Sequence, residues 1–237
     1  MHNVMAIFRK EMNAFFSSPM AYIFLVVFAL INGDFFNIQF FLINESDMRV
    51  LFSIIPIVYL FFIPAVSMGL ISREKGIGTI EIISTLPINE RDIVLGKYLA
   101  GFSLILLGLA TTLFFYLNLI YVGSNIDHGA VFTGYIGLAL LGGVYTSIGL
   151  FSSSLTENQV IAFIIGIAIV LVFFMMDKLL FFFPPSVTGV IQYLSTDFHL
   201  SNMSRGVLDT RNIIYFCSII GFFLTVTTRV LESRKWS

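Results

Sequence analysis

The 237-residue sequence is poor in charge: charged residues make up 11% of it and hydrophobic residues 57%. Soluble domains carry about 25% charged residues, so this chain has too few charges to cover a water-exposed surface. Its net charge of −1 provides no basic surface for nucleic acid. Its single cysteine, Cys217, excludes a disulfide framework and a cysteine-based zinc site. The composition excludes a soluble globular enzyme and predicts an all-α polytopic membrane protein.

Motifs for catalysis and nucleotide binding are also missing. The sequence Gly96-Lys97 is followed by Tyr98 and has no glycine five residues before Gly96, so it is not a P-loop. The three histidines are isolated and no H-E-x-x-H motif is present. We therefore expect no catalytic site, no metal site and no cofactor.

Six apolar runs are each long enough to cross the roughly 30 Å hydrocarbon layer as a helix. They predict transmembrane helices at residues 20–43, 50–71, 98–122, 130–151, 159–182 and 212–231. Lipid-spanning strands alternate apolar and polar residues over about 10 positions, whereas these runs are continuously apolar. The first run is too long for a signal-peptide core and lacks a small-residue cleavage site, so we expect it to be retained.

The lysines and arginines predict the orientation of these spans. If the N-terminus is cytoplasmic, nine of them fall on the inner side and four on the outer side, as the positive-inside rule requires. With six spans, both termini are then cytoplasmic. We expect a multi-pass membrane protein.

Residues 1–18 form a separate segment before the first span. Apolar residues recur in it at three- to four-residue spacing, from Val4 and Ile7 to Met12 and Phe15. This pattern predicts an amphipathic helix in the inner membrane interface. A simple positively charged anchor for the first span explains the same residues equally well.

The polar segment at residues 73–90 joins the second and third spans. Thr79 can cap a short helix, Pro87 ends it, and Asn89 can cap the helix that enters the third span. A short cytoplasmic helix held between two spans can take up a push from a cytoplasmic partner and transmit it to both. An amphipathic turn resting on lipid is the alternative.

The outer side has two features of interest. Pro184-Pro185 interrupts the segment 183–211, for which we expect a re-entrant helix followed by a short outer helix near residues 196–206, packed against the bundle. Polar residues also occur near the outer ends of spans one and five, where they are costly unless satisfied. They form a candidate outer vestibule or simply reach the interface: Asp34, Asn37, Asp177 and Lys178.

The cytoplasmic segment resembles the signature of ABC-2-type transporter permeases. In that family a pattern close to R-E-x-x-x-G-T-x-E-x-x-x-x-x-P-[IV] precedes the L-G-K that opens the third span. The matching residues here are Arg73-Glu74, Gly78-Thr79, Glu81, Pro87-Ile88 and Leu95-Gly96-Lys97. The resemblance covers the whole chain and implies a type V exporter-like fold, with an interfacial helix, six spans, a coupling helix and an outer re-entrant segment. The sequence is most similar to the permease subunit of the gliding-motility ABC transporter.

The resemblance implies a permease without its own nucleotide site that pairs with a dimer of separate cytoplasmic ATPase subunits. Residues 78–87 would be the coupling helix that docks on the ATPase. The residues it assigns to ATPase coupling are Arg73, Glu74, Gly78, Thr79, Glu81, Ile83 and Pro87. Six spans form half a transporter, which implies either a second permease copy or a related membrane subunit with an extracytoplasmic domain. The longest outer segment of this chain, about thirty residues, is too short for such a domain.

The leading functional hypothesis is ATP-driven export or mechanotransmission by a permease that contacts membrane lipid. An ATPase-independent channel or secondary carrier is the alternative, because Pro56 and Pro64 can interrupt a span, although no internal repeat supports it. An intramembrane enzyme acting on lipid would need convergent acids, bases or metal ligands, and none is evident. The sequence does not identify a cargo.

Overall fold

The computed structural model describes residues 2–38, 40, 47–79, 88–122 and 126–233, and within these residues the regular structure is entirely helical. The helices are α1 His2–Ser17, α2 Pro19–Asn37, α3 Arg49–Ser67, α4 Gly69–Ile77, α5 Glu90–Thr111, α6 Leu113–Val122, α7 His128–Leu155, α8 Gln159–Met175, α9 Pro185–Leu194, α10 Thr196–Ser204 and α11 Thr210–Ser233. A short 3₁₀ turn, Leu180–Phe182, follows α8. The prediction of an all-helical membrane protein is confirmed.

Five helical stretches of the described chain are long and apolar enough to cross a membrane. They are α2, the continuous α3–α4 stretch Arg49–Ile77, the α5–α6 stretch Glu90–Val122, α7 and α11. The remaining run, predicted as a span at 159–182, is helical over only 17 residues and ends at Met175. Just after Met175 the chain contacts α10, where the Lys178 ammonium lies 2.9 Å from the Asp197 carboxylate.

Helix α7 is the centre of the bundle and contacts α3, α4, α5, α8, α10 and α11. Its glycines permit the closest of these contacts. A Cβ atom at Gly149 would lie 1.8 Å from the Ser67 hydroxyl, and one at Gly134 would lie 2.3 Å from the Phe52 ring. Small residues at such positions let two membrane helices approach closely, which fixes α3 against α7.

Two of the long stretches are interrupted. Pro64 lies inside α3 and has no N–H to donate, and the stretch breaks at Met68, between α3 and α4. The α5–α6 stretch breaks at Thr112, whose hydroxyl and backbone N–H both bond the Leu109 carbonyl, at 2.6 and 3.1 Å. Such local bonding by threonine competes with the regular helical ladder.

The bundle has two distinct ends, which we call the α4 end and the α10 end. At the α10 end, the Thr133 hydroxyl near the start of α7 donates to the Met203 carbonyl at 2.6 Å. At the α4 end, the position of a Cβ on Gly69 would be 3.2 Å from the Gln159 side chain at the start of α8. Helix α8 therefore runs from the α4 end to the α10 end, antiparallel to α7.

Candidate functional site

Four charged side chains meet at the α4 end, and we call them the charge cluster: Lys10 and Glu11 of α1, Glu74 of α4 and Lys97 of α5. The Lys97 ammonium lies 2.7 Å from Glu11 Oε1 and 2.9 Å from Glu74 Oε2. The Lys10 ammonium lies 2.6 Å from Glu74 Oε1. Two cations and two anions thus balance in charge, and they connect α1 to α4 and α5, which follow more than 50 residues later in the sequence.

Lys97 is the most deeply placed member of the charge cluster, with 1% of its side chain exposed. Its ammonium also donates to the Leu70 carbonyl at 2.6 Å. Two of the three ammonium donors thus have hydrogen-bond acceptors, Glu11 and the Leu70 carbonyl, and the Glu74 carboxylate adds an ion pair. A buried charge is tolerated only when it is paired and hydrogen-bonded in this way, so Lys97 holds α1, α4 and the start of α5 in one arrangement.

Gly96 provides the space that the charge cluster needs. A Cβ atom at this position would lie 2.8 Å from two side-chain carbons of Ile7 and 3.0 Å from the Val4 carbonyl oxygen. Helix α1 therefore crosses α5 at Gly96, and its close approach brings Glu11 within reach of Lys97. Within the Gly96-Lys97 pair, the glycine provides the space for α1 and the lysine pairs with Glu11 of α1.

Lys10 lies at the exposed edge of the charge cluster. Its side chain is 57% exposed. Partial burial disfavours its charged form, but the hydrogen bond to Glu74 and the negative charges of Glu74 and Glu11 outweigh this and raise the pKa of Lys10. Lys10 therefore stays protonated at neutral pH and adds a second cation to Glu74.

The other side of α4 is attached to α7 by one hydroxyl group. Ser153 is fully buried, and its Oγ accepts hydrogen bonds from the backbone N–H groups of Ile71 and Ser72, at 3.0 and 2.9 Å. The same hydroxyl donates to the Met68 carbonyl at 2.6 Å. Helix starts leave backbone N–H groups without partners. Ser153 satisfies two of them from another helix, and it bridges the break between α3 and α4.

Lys75 and two glycines complete the attachment of α4. The buried Lys75 ammonium donates to the Ser154 carbonyl, at the C-terminal end of α7, where a helix favours positive charge. A Cβ at Gly76 would lie 3.0 Å from the Glu157 carbonyl oxygen, so α4 lies directly against the α7–α8 turn. Gly78 ends α4 with a φ of 78°, a left-handed conformation that glycine adopts without strain.

The residues predicted to couple to an ATPase are only partly described. Arg73 is exposed and forms no ion pair with a described residue, whereas Glu74 is buried in the charge cluster. The Thr79 hydroxyl donates to the Glu74 carbonyl at 3.3 Å. Residues Glu81, Ile83 and Pro87 lie outside the described residues, so the coupling role of the whole set stays a prediction.

The residues of the candidate outer vestibule lie on two elements. Asp34 and Asn37 are exposed on α2, and Asp177 is half-buried in the turn after α8. Lys178 is close to two described groups, the Asp197 carboxylate and the Phe174 ring, whose centroid is 4.8 Å away. The vestibule therefore stays a prediction.

Sequence reasoning gave no role to four residues at the α4 end: Lys10, Glu11, Lys97 and Ser153. Lys97 had a detectable signal, because a lysine that opens a long apolar run is costly in a membrane unless it has a partner. Ser153 had none beyond its place in the small, polar run Ser152–Ser154 near the end of a predicted span.

Comparison with known proteins identifies the family of this chain. The sequence profile described as ABC-2 family transporter protein matches residues 5–205, which include all four members of the charge cluster. No curated protein gives a significant match to the sequence. The profile covers most of the chain and confirms the resemblance at the level of the family. The chain therefore belongs to the ABC-2 family of transporter proteins, as a membrane component of the permease type.

Proposed function

We propose that this chain is the permease subunit of an ABC transporter in the bacterial inner membrane, driven by a separate cytoplasmic ATPase. The observation that carries the proposal is the contact between Glu74 and Lys97. These residues stand at the two ends of the segment that leaves α4 and enters α5, and their side chains meet at 2.9 Å. The base of the segment is thereby closed.

A closed base makes the segment an efficient transmitter of force. When its two ends are bound to each other, a push on residues 78–89 moves α4 and α5 together instead of separating them. Ser153 then connects α4 to the central helix α7. ATP binding to the partner can bias the permease only through contacts that differ between two states, and we place those contacts at residues 78–87.

The proposed topology has six spans, with α8 as the fifth. Its 17 residues correspond to about 25 Å and fall at the short end of the range that crosses a bilayer, roughly 17–25 residues. The support comes from its neighbours: α8 begins beside α4 and ends beside α10, on opposite ends of the bundle. In this proposed topology both termini and the charge cluster are on the cytoplasmic side, which the lysine and arginine distribution supports.

Six spans are half of a transporter, so the proposed assembly contains a second permease copy or a related membrane subunit with an extracytoplasmic domain. The gliding-motility resemblance favours the second arrangement. In that arrangement the assembly exports a cargo or uses ATP to perform mechanical work on an outer-face partner.

The test is purification of the tagged chain from its native membranes in mild detergent, followed by reconstitution in nanodiscs. We expect an ATPase at a fixed stoichiometry. In the complex, replacing residues 80–87 with a glycine-serine segment of equal length should abolish the stimulation of ATP hydrolysis while the chain stays in the membrane.

The matched control replaces residues 123–125, which lie between α6 and α7 in the sequence, in the same way and should leave stimulation intact. Recovery of the chain without any ATPase would contradict the proposal. Full stimulation by the 80–87 variant would contradict the coupling role of this segment.

A further inference from the structure

A groove at the α4 end lies between α5 and α11 and shares no residue with the charge cluster. Its volume is about 340 Å³, and it is open to the surroundings of the bundle. Its walls include Arg91, Val94 and Leu95 of α5 and Leu224, Arg229 and Glu232 of α11. Arg91 and Leu95 are four residues apart on α5, and Leu224, Thr228 and Glu232 follow at four-residue steps on α11, so each set shares one face of its helix.

The groove changes from apolar to basic along its length. Helix α5 leads away from the α4 end and α11 returns to it, so the two walls are antiparallel. Leu95 and Leu224 therefore line one end of the groove, and the two arginines line the other. A separation of four residues corresponds to about 6 Å along a helix. The basic end can therefore contact a lipid phosphate while the apolar end contacts the start of the acyl chain.

The basic end has an excess of positive charge. Arg91 is exposed, and the side chain of Arg229 is 78% exposed. Glu232 lies 3.1 Å from one terminal nitrogen of Arg229, but a guanidinium has five N–H donors and retains others for a ligand. Glu90 and Asp92 are next to Arg91 in sequence, and neither lines the groove. Two guanidinium groups against one carboxylate leave a net attraction for a phosphate.

We propose that this groove binds an anionic phospholipid of the inner leaflet, with the phosphate at Arg91 and Arg229 and the acyl chain on Leu95 and Leu224. The leaflet follows from the proposed topology, which puts the α4 end on the cytoplasmic side. Basic pockets between membrane helices on that side match the headgroups of anionic lipids. Because one wall is α11 and the other is α5, a bound lipid would join the last span to the helix that follows the coupling segment.

The test uses the purified full chain in detergent, without an ATPase, and measures lipid adducts by native mass spectrometry. The probes are dioleoyl phosphatidylglycerol and dioleoyl phosphatidylcholine. We expect tighter binding of the anionic lipid. Arg91→Gln should weaken it roughly fivefold, and Arg91→Gln with Arg229→Gln roughly 25-fold, from the contribution of one basic residue near an anionic lipid surface.

Two further variants serve as controls. Glu232→Gln removes the competing carboxylate and should tighten binding of phosphatidylglycerol. Arg211→Gln removes an exposed arginine at the opposite end of α11 and should change nothing. Phosphatidylcholine binding should be the same in every variant, and the unfolding midpoint of each variant shows whether the fold is retained.

Three results would overturn the proposal. The first is unchanged phosphatidylglycerol binding in the folded double variant. The second is full displacement of the lipid by 10 mM inorganic phosphate, which would make the groove a free-anion site. The third is a dimer of the unmodified chain that the double variant loses while it retains lipid binding. This result would assign the groove to a second copy of the chain. Because the measurement contains no ATPase, its outcome is independent of the partner proposed above.

Discussion

The substitution Lys97→Met tests the energetic importance of the charge cluster. Methionine retains a long unbranched side chain and removes the ammonium, which pairs with Glu11 and Glu74 and donates to the Leu70 carbonyl. The half-exposed Lys10 would then be the remaining cation of the charge cluster, facing two largely buried carboxylates. Removing one partner of a buried ion pair costs about 3–5 kcal/mol. For a chain of this length, about 2–4 °C of unfolding midpoint correspond to 1 kcal/mol, so we expect a fall of roughly 6–20 °C.

The assay is thermal unfolding of the purified chain in one detergent, followed by circular dichroism. The matched control is Lys178→Met, which makes the same substitution in an ion pair with Asp197, also at 2.9 Å but 46% exposed on the lysine side. Exposed pairs of this kind contribute about 0–1 kcal/mol, so the control should shift the midpoint little.

A second variant separates electrostatics from packing. Glu74→Gln combined with Lys97→Met leaves one cation and one anion, Lys10 and Glu11, which are themselves 3.5 Å apart. The double variant should therefore be more stable than the sum of the single effects by about 0.5–3 kcal/mol, the usual coupling between residues in contact. The reasoning is refuted if Lys97→Met costs no more than Lys178→Met, or if the two single effects are additive.

Three further substitutions test separate contacts. Gly96→Ala should displace α1, because its methyl group would meet Ile7, and should expose the bond after Lys10 to trypsin, whereas Gly221→Ala has open space around it and should not. Ser153→Ala leaves two buried N–H groups without an acceptor and should cost about 1–3 kcal/mol in unfolding free energy; Ser154→Ala removes a hydroxyl bonded within its own helix at 2.7 Å and should cost less. His199→Ala removes contacts to Asn212 Oδ1 at 2.7 Å and the Tyr193 carbonyl at 2.9 Å, and should increase hydrogen exchange in α9 and α10; unchanged exchange would exclude this role.

The helical class of the chain could be predicted because lipid leaves so few alternatives. A continuous apolar run in a bilayer must satisfy all of its backbone hydrogen bonds internally, which a helix does. The end of a helix is less predictable where a polar side chain contacts another helix. The run 159–182 is uniformly apolar up to Met176, yet its helix ends at Met175, where Lys178 turns toward Asp197, a residue on a later helix.

The candidate site could likewise be predicted only in part. The motif at residues 73–97 is recognised from one continuous stretch of sequence, and Gly78 in it ends α4 locally with a φ of 78°. The charge cluster depends instead on pairs distant in sequence, such as Glu11 and Lys97, which are 86 residues apart. Ser153 meets α4 across 82 residues. Neither separation leaves a periodic signal, because the first contact follows from the crossing of α1 and α5 at Gly96 and the second from the packing of α7 against the break at Met68.

The most direct test of the account is photo-crosslinking from residue 83 in the intact membrane. A photoreactive amino acid replaces Ile83, and the captured product is identified by mass spectrometry, with the same substitution at the exposed Leu208 as the control. The account predicts capture of a cytoplasmic subunit that carries a nucleotide-binding P-loop from residue 83 and none from residue 208. Capture of that subunit from residue 208, or labelling of residue 83 by a reagent added outside the cell, would contradict it.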